Sequence, residues 1–349
     1  MRQTTTRPRQ AALRIAGWFA LATALLETST ARPEPPRFGD SNKVSDHASI
    51  KGDSVIRAKS GPSEIVITTT NRLAGAIHSL RWNGKEFIDS HDHGRQLQSA
   101  ASFDRAAPGE FWAECYNPTE AGSRADGVGE TSSSQLLQIS AEGNALRTST
   151  RMAFWLAPGE KSSGRLALNS TILSDHLVSK RVRIGGSAKL AASTNQDLDN
   201  VVEYEVTFTV PRDERHTYAQ FEALTGYMPS EFSRFWKLPL RSRKLDTLDD
   251  GPGEQAHPVI FSNASGSHAM GIFSPDQPSR GFEQAGYGRF RFEVEKVVKW
   301  NCVFRLRDQR GIAAGPYRFR QFVAVGSLQD VQRALETIFD LFPEEKSDE

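Results

Sequence analysis

Between Val202 and Val210 the chain alternates without a fault: Val202, Tyr204, Val206, Phe208 and Val210 stand against Glu203, Glu205, Thr207 and Thr209. Side chains of an extended strand point to opposite faces with a period of two, so this run is stable only with one face buried and the other wet. A chain that carries such a strand must supply a second layer to cover it. Candidates for that layer recur. Phe290, Phe292, Val294, Val298 and Trp300 trace another alternating run, interrupted by Lys296, and Cys302-Val303-Phe304-Arg305-Leu306 continues its β character. Tyr317, Phe319, Gln321, Val323 and Val325 trace a further one. Near the start, Ala76–Trp82 and Lys85–Ile88 flank Asn83-Gly84, the pair that most readily takes the positive φ angles of a type I′ hairpin turn. From Ser63 to about Val325, short β-branched and aromatic runs are separated by Gly, Pro, Asn and Asp, which predicts an all-β, large antiparallel β-sandwich. A short C-terminal helix is the exception. Ser327 and Asp330 form a capping-box start, Leu328, Val331, Leu335 and Ile338 recur at helical spacing, and Pro343 with an acidic tail ends it.

At the N-terminus, Arg2, Arg7, Arg9 and Arg14 precede an apolar run from Ile15 to Leu26 and small residues ending at Ala31. That layout predicts a secretory signal peptide over residues 1–31, and hence a secreted or periplasmic protein. The run is too short to cross a hydrocarbon core about 30 Å thick as a helix, so no integral membrane span is expected in the mature chain. Residues 32–62, rich in Pro, Ser, Lys and Asp, read as a flexible lead-in, and residues 63–349 as one domain. Setting aside residues 1–31 removes four arginines and one glutamate, leaving 39 basic and 41 acidic side chains and a net charge of −2. Such a balance argues against nucleic acid as a partner. Two cysteines, Cys115 and Cys302, fit either a disulfide or a pair of buried thiols.

The densest polar segment follows the hairpin: Asp89-Ser90-His91-Asp92-His93-Gly94-Arg95-Gln96-Leu97-Gln98. His91 and His93 have the spacing that places two imidazoles on one face of a strand, as at metal sites. A third ligand such as Glu114, Glu120, His257 or His268 would be needed, and nothing in the sequence ties one to the pair. The segment is therefore read without metal or cofactor. Asp92 or His93 would transfer protons, and Arg95, Gln96 and Gln98 would donate hydrogen bonds to a polyhydroxylated or acidic ligand. An Asp92–Arg95 ion pair that merely holds a loop fits the same residues.

A second segment, Trp112 to Ser123, holds Trp112, Glu114, Asn117 and Glu120 on an irregular loop. Sugar pockets combine flat aromatic faces with carboxylates and amides, which matches this content. Without the separation of Glu114 and Glu120 the two-carboxylate test for glycoside hydrolysis cannot be applied. A third segment, Phe221 to Pro229, places Glu222 and Tyr227 beside a Gly turn, and His268 opens a later strand. Lys299-Trp300-Asn301 offers a cation and an aromatic ring near a strand end, with core packing the default for Trp300.

Taken together, the leader, the run of antiparallel strands, the Gly75–Ile88 hairpin and Asp92-His93-Gly94-Arg95 resemble the β-supersandwich of galactose mutarotase-like proteins. The resemblance spans about residues 63 to 340 and implies a broad sandwich with a carbohydrate groove on its concave face. Relatives of that kind include sugar epimerases, polysaccharide lyases and domains of glycoside hydrolases. The epimerases' pattern of a spaced His pair followed by a late catalytic Glu is not found here, and fold alone does not fix function. Two functions follow as expectations. In one, His93, Asp92, Tyr227, Glu222 and His268 carry proton-transfer chemistry on a sugar or polysaccharide bound by Arg95, Gln96, Gln98, Trp112, Glu114, Asn117 and Glu120. In the other, the same residues only grip a glycan.

Overall fold

A computed structural model of the chain describes residues 50–104, 111–186, 193, 198–276 and 286–343. The segments in which the signal peptide and most of the lead-in are expected, residues 1–49, and the acidic tail, residues 344–349, lie outside the described residues.

The strand pairings, all antiparallel, form two broad layers. One runs Ser54–Ser60, Ser63–Thr69, Ile77–Trp82, Leu97–Phe103, Tyr218–Pro229, Val297–Arg307, Tyr287–Phe292 and Gly253–Gln255. The other runs Gln135–Glu142, Ala145–Phe154, Leu173–Ile184, Val201–Val210, Gly315–Gly326, Ala269–Phe273, Val259–Ser262, Arg234–Lys237 and Asp246–Thr247. A two-residue strand, Pro118–Thr119, stitches the layers together: Thr119 pairs with Ala100 of the first, and both residues pair with Ala153 and Phe154 of the second.

The alternation in Val201–Val210 has the consequence expected of it. Val202, Tyr204, Val206, Phe208 and Val210 are buried in one core with Ile67, Leu80, Leu97, Phe221 and Leu224 of the facing sheet. Phe208 meets Phe221 across the sandwich with ring centroids 5.1 Å apart. Each such buried side chain contributes roughly 1.5–3 kcal/mol relative to exposure, which is why the two layers are inseparable. The helix Leu328–Leu341 starts at the Ser327/Asp330 capping box and lays Val331, Leu335, Ile338 and Phe339 against the back of the second sheet. The fold is the all-β sandwich with a short C-terminal helix that the sequence predicts.

Four local expectations are corrected or settled. Ordered structure begins earlier than Ser63, because Ser54–Ser60 carries Ile56 into the core and pairs fully with Ser63–Thr69. The run Phe290–Trp300 is a hairpin and not one strand: Lys296 takes φ 53° in the turn, so Phe290 pairs with Lys299 and lies on the outer face while Trp300 points inward. Cys115 and Cys302 are separate buried thiols. The Asn83-Gly84 turn forms with φ of 47° and 74°, as its composition requires. At Gly226 the reason for glycine is a close approach, since a Cβ there would sit 2.4 Å from the Trp300 indole.

Candidate functional site

In Tyr218–Pro229, Glu222 and Tyr227 are five residues apart, and strict alternation would put them on opposite faces. A β-bulge changes that count. The partner register steps from Glu222↔Val303 to Leu224↔Cys302, so one extra residue is absorbed, and both Ala223 and Leu224 turn into the core. Glu222, Thr225 and Tyr227 thereby share the outer face of the first sheet with Gln220. On the neighbouring strand, the residues paired with them bring Lys299 opposite Tyr227 and Arg305 opposite Gln220. One strand further, Gly288 lies between Asn301 and Glu254, which adds Glu254 to the same face.

These side chains form a half-buried charged cluster. Lys299 Nζ lies 3.1 Å from Glu222 Oε2, and the Thr225 hydroxyl donates to the same oxygen at 2.7 Å. The Lys299 ammonium also stands 5.2 Å from the Tyr227 ring centre and 5.4 Å from that of Phe290. Arg305 pairs with Glu254 at 2.6 Å and donates to Gln220 at 3.2 Å. Two loops border the cluster. At one end Asp89 N–H donates to the Tyr227 carbonyl and Tyr227 N–H to the Gln96 carbonyl, and at the other Phe111 packs on Tyr218 with centroids 4.5 Å apart.

The electrostatics divide the two carboxylates. Burial raises the proton affinity of Glu222, but the Lys299 ammonium and the Thr225 hydroxyl outweigh it and hold the carboxyl below the ordinary glutamate range. Burial also dominates at Glu254, where Arg305 compensates only in part and the negative charge of Glu222 adds to the effect, so this carboxyl is raised. Burial raises the Tyr227 phenol, with Lys299 opposing. Lys299 is lowered by burial yet held above the usual lysine range by Glu222 and Tyr227. One face therefore carries a firmly ionised carboxylate, a carboxyl that holds its proton more tightly, a neutral phenol and two cations. Carboxyls whose surroundings drive them apart are the usual basis for separate acid and base roles.

The other residues singled out from sequence are distributed unevenly around this face. Arg95 Nε reaches Asp92 at 3.0 Å, an ion pair that holds the loop beside Tyr227. His93 is buried, with Nδ1 2.8 Å from the Gly127 carbonyl and Nε2 2.9 Å from that of Arg72, so both ring nitrogens face backbone. His91 is exposed while His93 is buried, because the segment turns instead of running straight. Gln96 and Gln98 donate to the carbonyls of Asp92 and Gly94. Their buried Oε1 atoms have no protein partner. Trp112 Nε1 donates to the Ser162 hydroxyl at 3.3 Å, Ser162 donates to Glu114, and Arg165 lies 5.1 Å over the Trp112 ring. Asn117 Nδ2 donates to the Ala101 carbonyl at 2.6 Å and to Ser102 at 3.0 Å. His268 sits against Trp82, centroids 5.6 Å apart, just before the Ala269–Phe273 strand of the other sheet.

Glu120 lies in the interior. It is 0% exposed, ion-paired with Lys180 of the second sheet, and accepts the Ser99 N–H at 3.2 Å. Ser99 in turn lies 3.0 Å from the Tyr204 hydroxyl. Sequence reading overlooked Glu254 and Arg305, and the signal for Arg305 was present: Lys299, Asn301, Val303, Arg305 and Arg307 alternate as one outer row.

A separate group lies at one end of the sandwich interior: His176, Glu214 and His216, whose ligand atoms all fall within 4.8 Å of one another. Burial lowers His176. Burial raises Glu214, but the two imidazoles and the Tyr116 hydroxyl outweigh it and keep the carboxyl well below the usual range.

No protein-family model and no curated protein matches the chain. Among solved structures, it is similar to the Slr1438 protein of Synechocystis, at 8% identity and a TM-score of 0.42 over 80% of this chain and 99% of that one. It is also similar to a Klebsiella pneumoniae protein classed as an aldose 1-epimerase, at 10% identity and a TM-score of 0.39 over 84% of this chain and 93% of that one. A heparan sulfate lyase, HepC, of Pedobacter heparinus aligns at 8% identity and a TM-score of 0.37 over 82% of this chain and 37% of the lyase.

Proposed function

We propose that this is an exported carbohydrate-active protein that binds a sugar or polysaccharide on the outer face of the first sheet and acts on it by proton transfer, in the manner of an epimerase or a lyase. The observation that carries this reading is the pair of carboxylates on one face, Glu222 held ionised by Lys299 and Glu254 with raised proton affinity, beside the Tyr227 phenol. A carboxyl raised toward neutrality is the better proton acceptor and donor near working pH. Glu254 takes the acid–base role, Tyr227 is the second proton carrier, and Glu222 keeps Lys299 in place. Lys299 and Arg305 supply the positive charge that an acidic sugar or a developing enolate needs. Tyr227 and Phe290 offer ring faces to the apolar side of a pyranose. The Asp92–Arg95 loop forms the rim. The basic, apolar-centred leader of residues 1–31 supports export, and the resemblance to galactose mutarotase-like proteins points to the same ligand class.

In a lyase reaction the base removes the proton beside the uronate carboxylate, the electron pair forms the ring double bond, and the glycosidic oxygen leaves with a proton from the acid. In an epimerase reaction the same pair opens the ring, one group taking the hydroxyl proton and the other protonating the ring oxygen. The test is incubation of the purified protein with neutral and uronate-containing polysaccharides and with free aldoses. Unsaturated-uronate absorbance, new reducing ends and the rate of anomeric equilibration are followed. Turnover that falls about 100-fold or more in Tyr227→Phe supports the proposal. Silence across the panel together with measurable glycan binding would move the protein to a non-catalytic glycan-binding role, and the absence of both would remove carbohydrate altogether.

A further inference from the structure

The strand Leu173–Ile184 and the connection between Val201–Val210 and Tyr218–Pro229 bring two imidazoles to one carboxylate oxygen. His176 Nε2 lies 2.8 Å and His216 Nε2 2.9 Å from Glu214 Oε2. The far side of His216 decides what this arrangement means. Its Nδ1 is hydrogen-bonded to the Asp104 backbone carbonyl, which only accepts, so the Nδ1 proton is committed there. A neutral His216 then presents a bare Nε2 lone pair to a carboxylate oxygen. Two acceptors do not hold such a distance unless something positive lies between them.

A second proton on the ring is one answer, and a metal ion is the other. The first places an imidazolium, with a second imidazole 6.3 Å away, in a box walled by Phe103, whose ring centre is 4.8 Å and 4.7 Å from the two histidines, and by Tyr116. That imidazolium would be paired with the Glu214 carboxylate and hydrogen-bonded to the Asp104 carbonyl, so it is the competing occupant that the metal measurement below has to separate. The metal answer uses what is present. An imidazole whose other nitrogen donates to a carbonyl is the arrangement that orients metal-binding histidines. Two histidines and a glutamate form a familiar zinc ligand set, with bonds of about 2.0–2.2 Å. Ligand atoms around such an ion stand about 3.3 Å apart, so each imidazole nitrogen has to draw back from Glu214 Oε2 by a few tenths of an ångström, while the two imidazole nitrogens, which lie within 4.8 Å of each other, settle to the same spacing. The histidines are 3% and 1% exposed at their side chains, whereas Glu214 is 20% exposed, which gives the ion a route in and a side on which a fourth ligand can approach.

We propose that His176 Nε2, His216 Nε2 and a Glu214 carboxylate oxygen bind one divalent ion of the zinc class, with a fourth position open toward the Glu214 side. This centre lies within the sandwich end and shares no residue with the Glu222–Lys299 face, so it stands or falls independently of the proposed function.

The experiment is to load the purified full chain with Zn²⁺, dialyse it against metal-free buffer, and count bound metal by mass spectrometry beside a thermal melt. One equivalent per chain with a raised melting temperature is expected, together with at least a 10-fold weaker Zn²⁺ affinity in His176→Gln and in His216→Gln. Co²⁺ bound to the unaltered chain should give the intense visible bands of a four-coordinate site, a readout that does not depend on either variant folding. A cooperatively melting chain that retains no stoichiometric metal, a weak six-coordinate Co²⁺ spectrum, or full Zn²⁺ binding in both variants would overturn the proposal.

Discussion

Two lysine–glutamate pairs, built from the same chemistry, sit on opposite sides of the first sheet. Glu120 and Lys180 lie between the layers with side chains 0% and 1% exposed, and Glu222 and Lys299 lie on the outer face at 20% and 14%. The interior pair has no solvent to fall back on. Lys180 comes from the second sheet, and Glu120 directly follows the Pro118–Thr119 stitch, so the ion pair ties the layers at a point where the backbone already joins them. A buried pair of this kind contributes little net stability, because desolvation offsets attraction, yet losing one member is severe. The outer pair can exchange its partner for water or ligand. Sealed charge fixes a position, whereas half-open charge can do chemistry.

That contrast can be broken most forcefully at Lys180. Lys180→Met should cost about 3–5 kcal/mol in urea unfolding by leaving the Glu120 carboxylate buried without a counter-ion, while Lys180→Met with Glu120→Leu should recover most of the loss. A single-variant loss under 1 kcal/mol would mean that the interior pair is no more sealed than the outer one. On the outer face the pattern reverses. Glu254→Gln should lower turnover about 100-fold, or about 2.7 kcal/mol in barrier, while moving stability by less than about 1 kcal/mol. Equal losses in turnover and stability would make Glu254 structural. A calibration point away from both pairs is the helix cap: Ser327→Ala should cost about 1 kcal/mol and leave ligand affinity untouched.

The smallest effect is in the pH dependence, and its sign differs between the two outer carboxylates. The carboxyl of Glu222 is lowered in the folded state, so the stability it contributes is present above the unfolded glutamate value of about 4.3 and is lost as pH falls. Glu254 is raised, so its ionisation lowers stability as pH rises through the folded value. Glu222→Gln should therefore shrink the gain in stability between pH 4 and pH 7, and Glu254→Gln should enlarge it, each by less than about 1 kcal/mol. Shifts of the same sign in both variants would refute the division of roles.

Much of the fold was legible because it depends on local rules. Alternation in Val202–Val210, the Asn83-Gly84 turn and the Ser327/Asp330 cap all act within a few residues, and all three form. The Phe290–Trp300 run was misread because a hairpin turn centred near Lys296 keeps β composition on both sides while reversing which face each residue takes. The site was harder for a related reason. Glu222 and Tyr227 stood out as polar residues near one another, but only the bulge at Ala223 and Leu224 puts them on one face, and a bulge leaves no mark on composition. Glu254 comes from a three-residue strand whose place beside Tyr287–Phe292 is a matter of long-range pairing. His93, prominent in sequence for its acid–base chemistry, is held by two carbonyls from residues 21 and 34 positions away, which no local pattern encodes.

The missing side chain at Gly226 has a consequence for how sharply the outer face is aimed. Trp300 packs closely on Gly226 from inside the sandwich, and its immediate neighbour Lys299, with Tyr227 next to Gly226, makes up the pair on the other side of the same sheet. The indole is thus a rear backstop for two chemical groups it never touches from the front. A methyl group added at Gly226 would collide with that indole 2.4 Å away, so the backbone or the ring beside both neighbours would have to shift. Changes made wholly inside the protein, out of reach of any ligand, can in this way retune what the surface recognises.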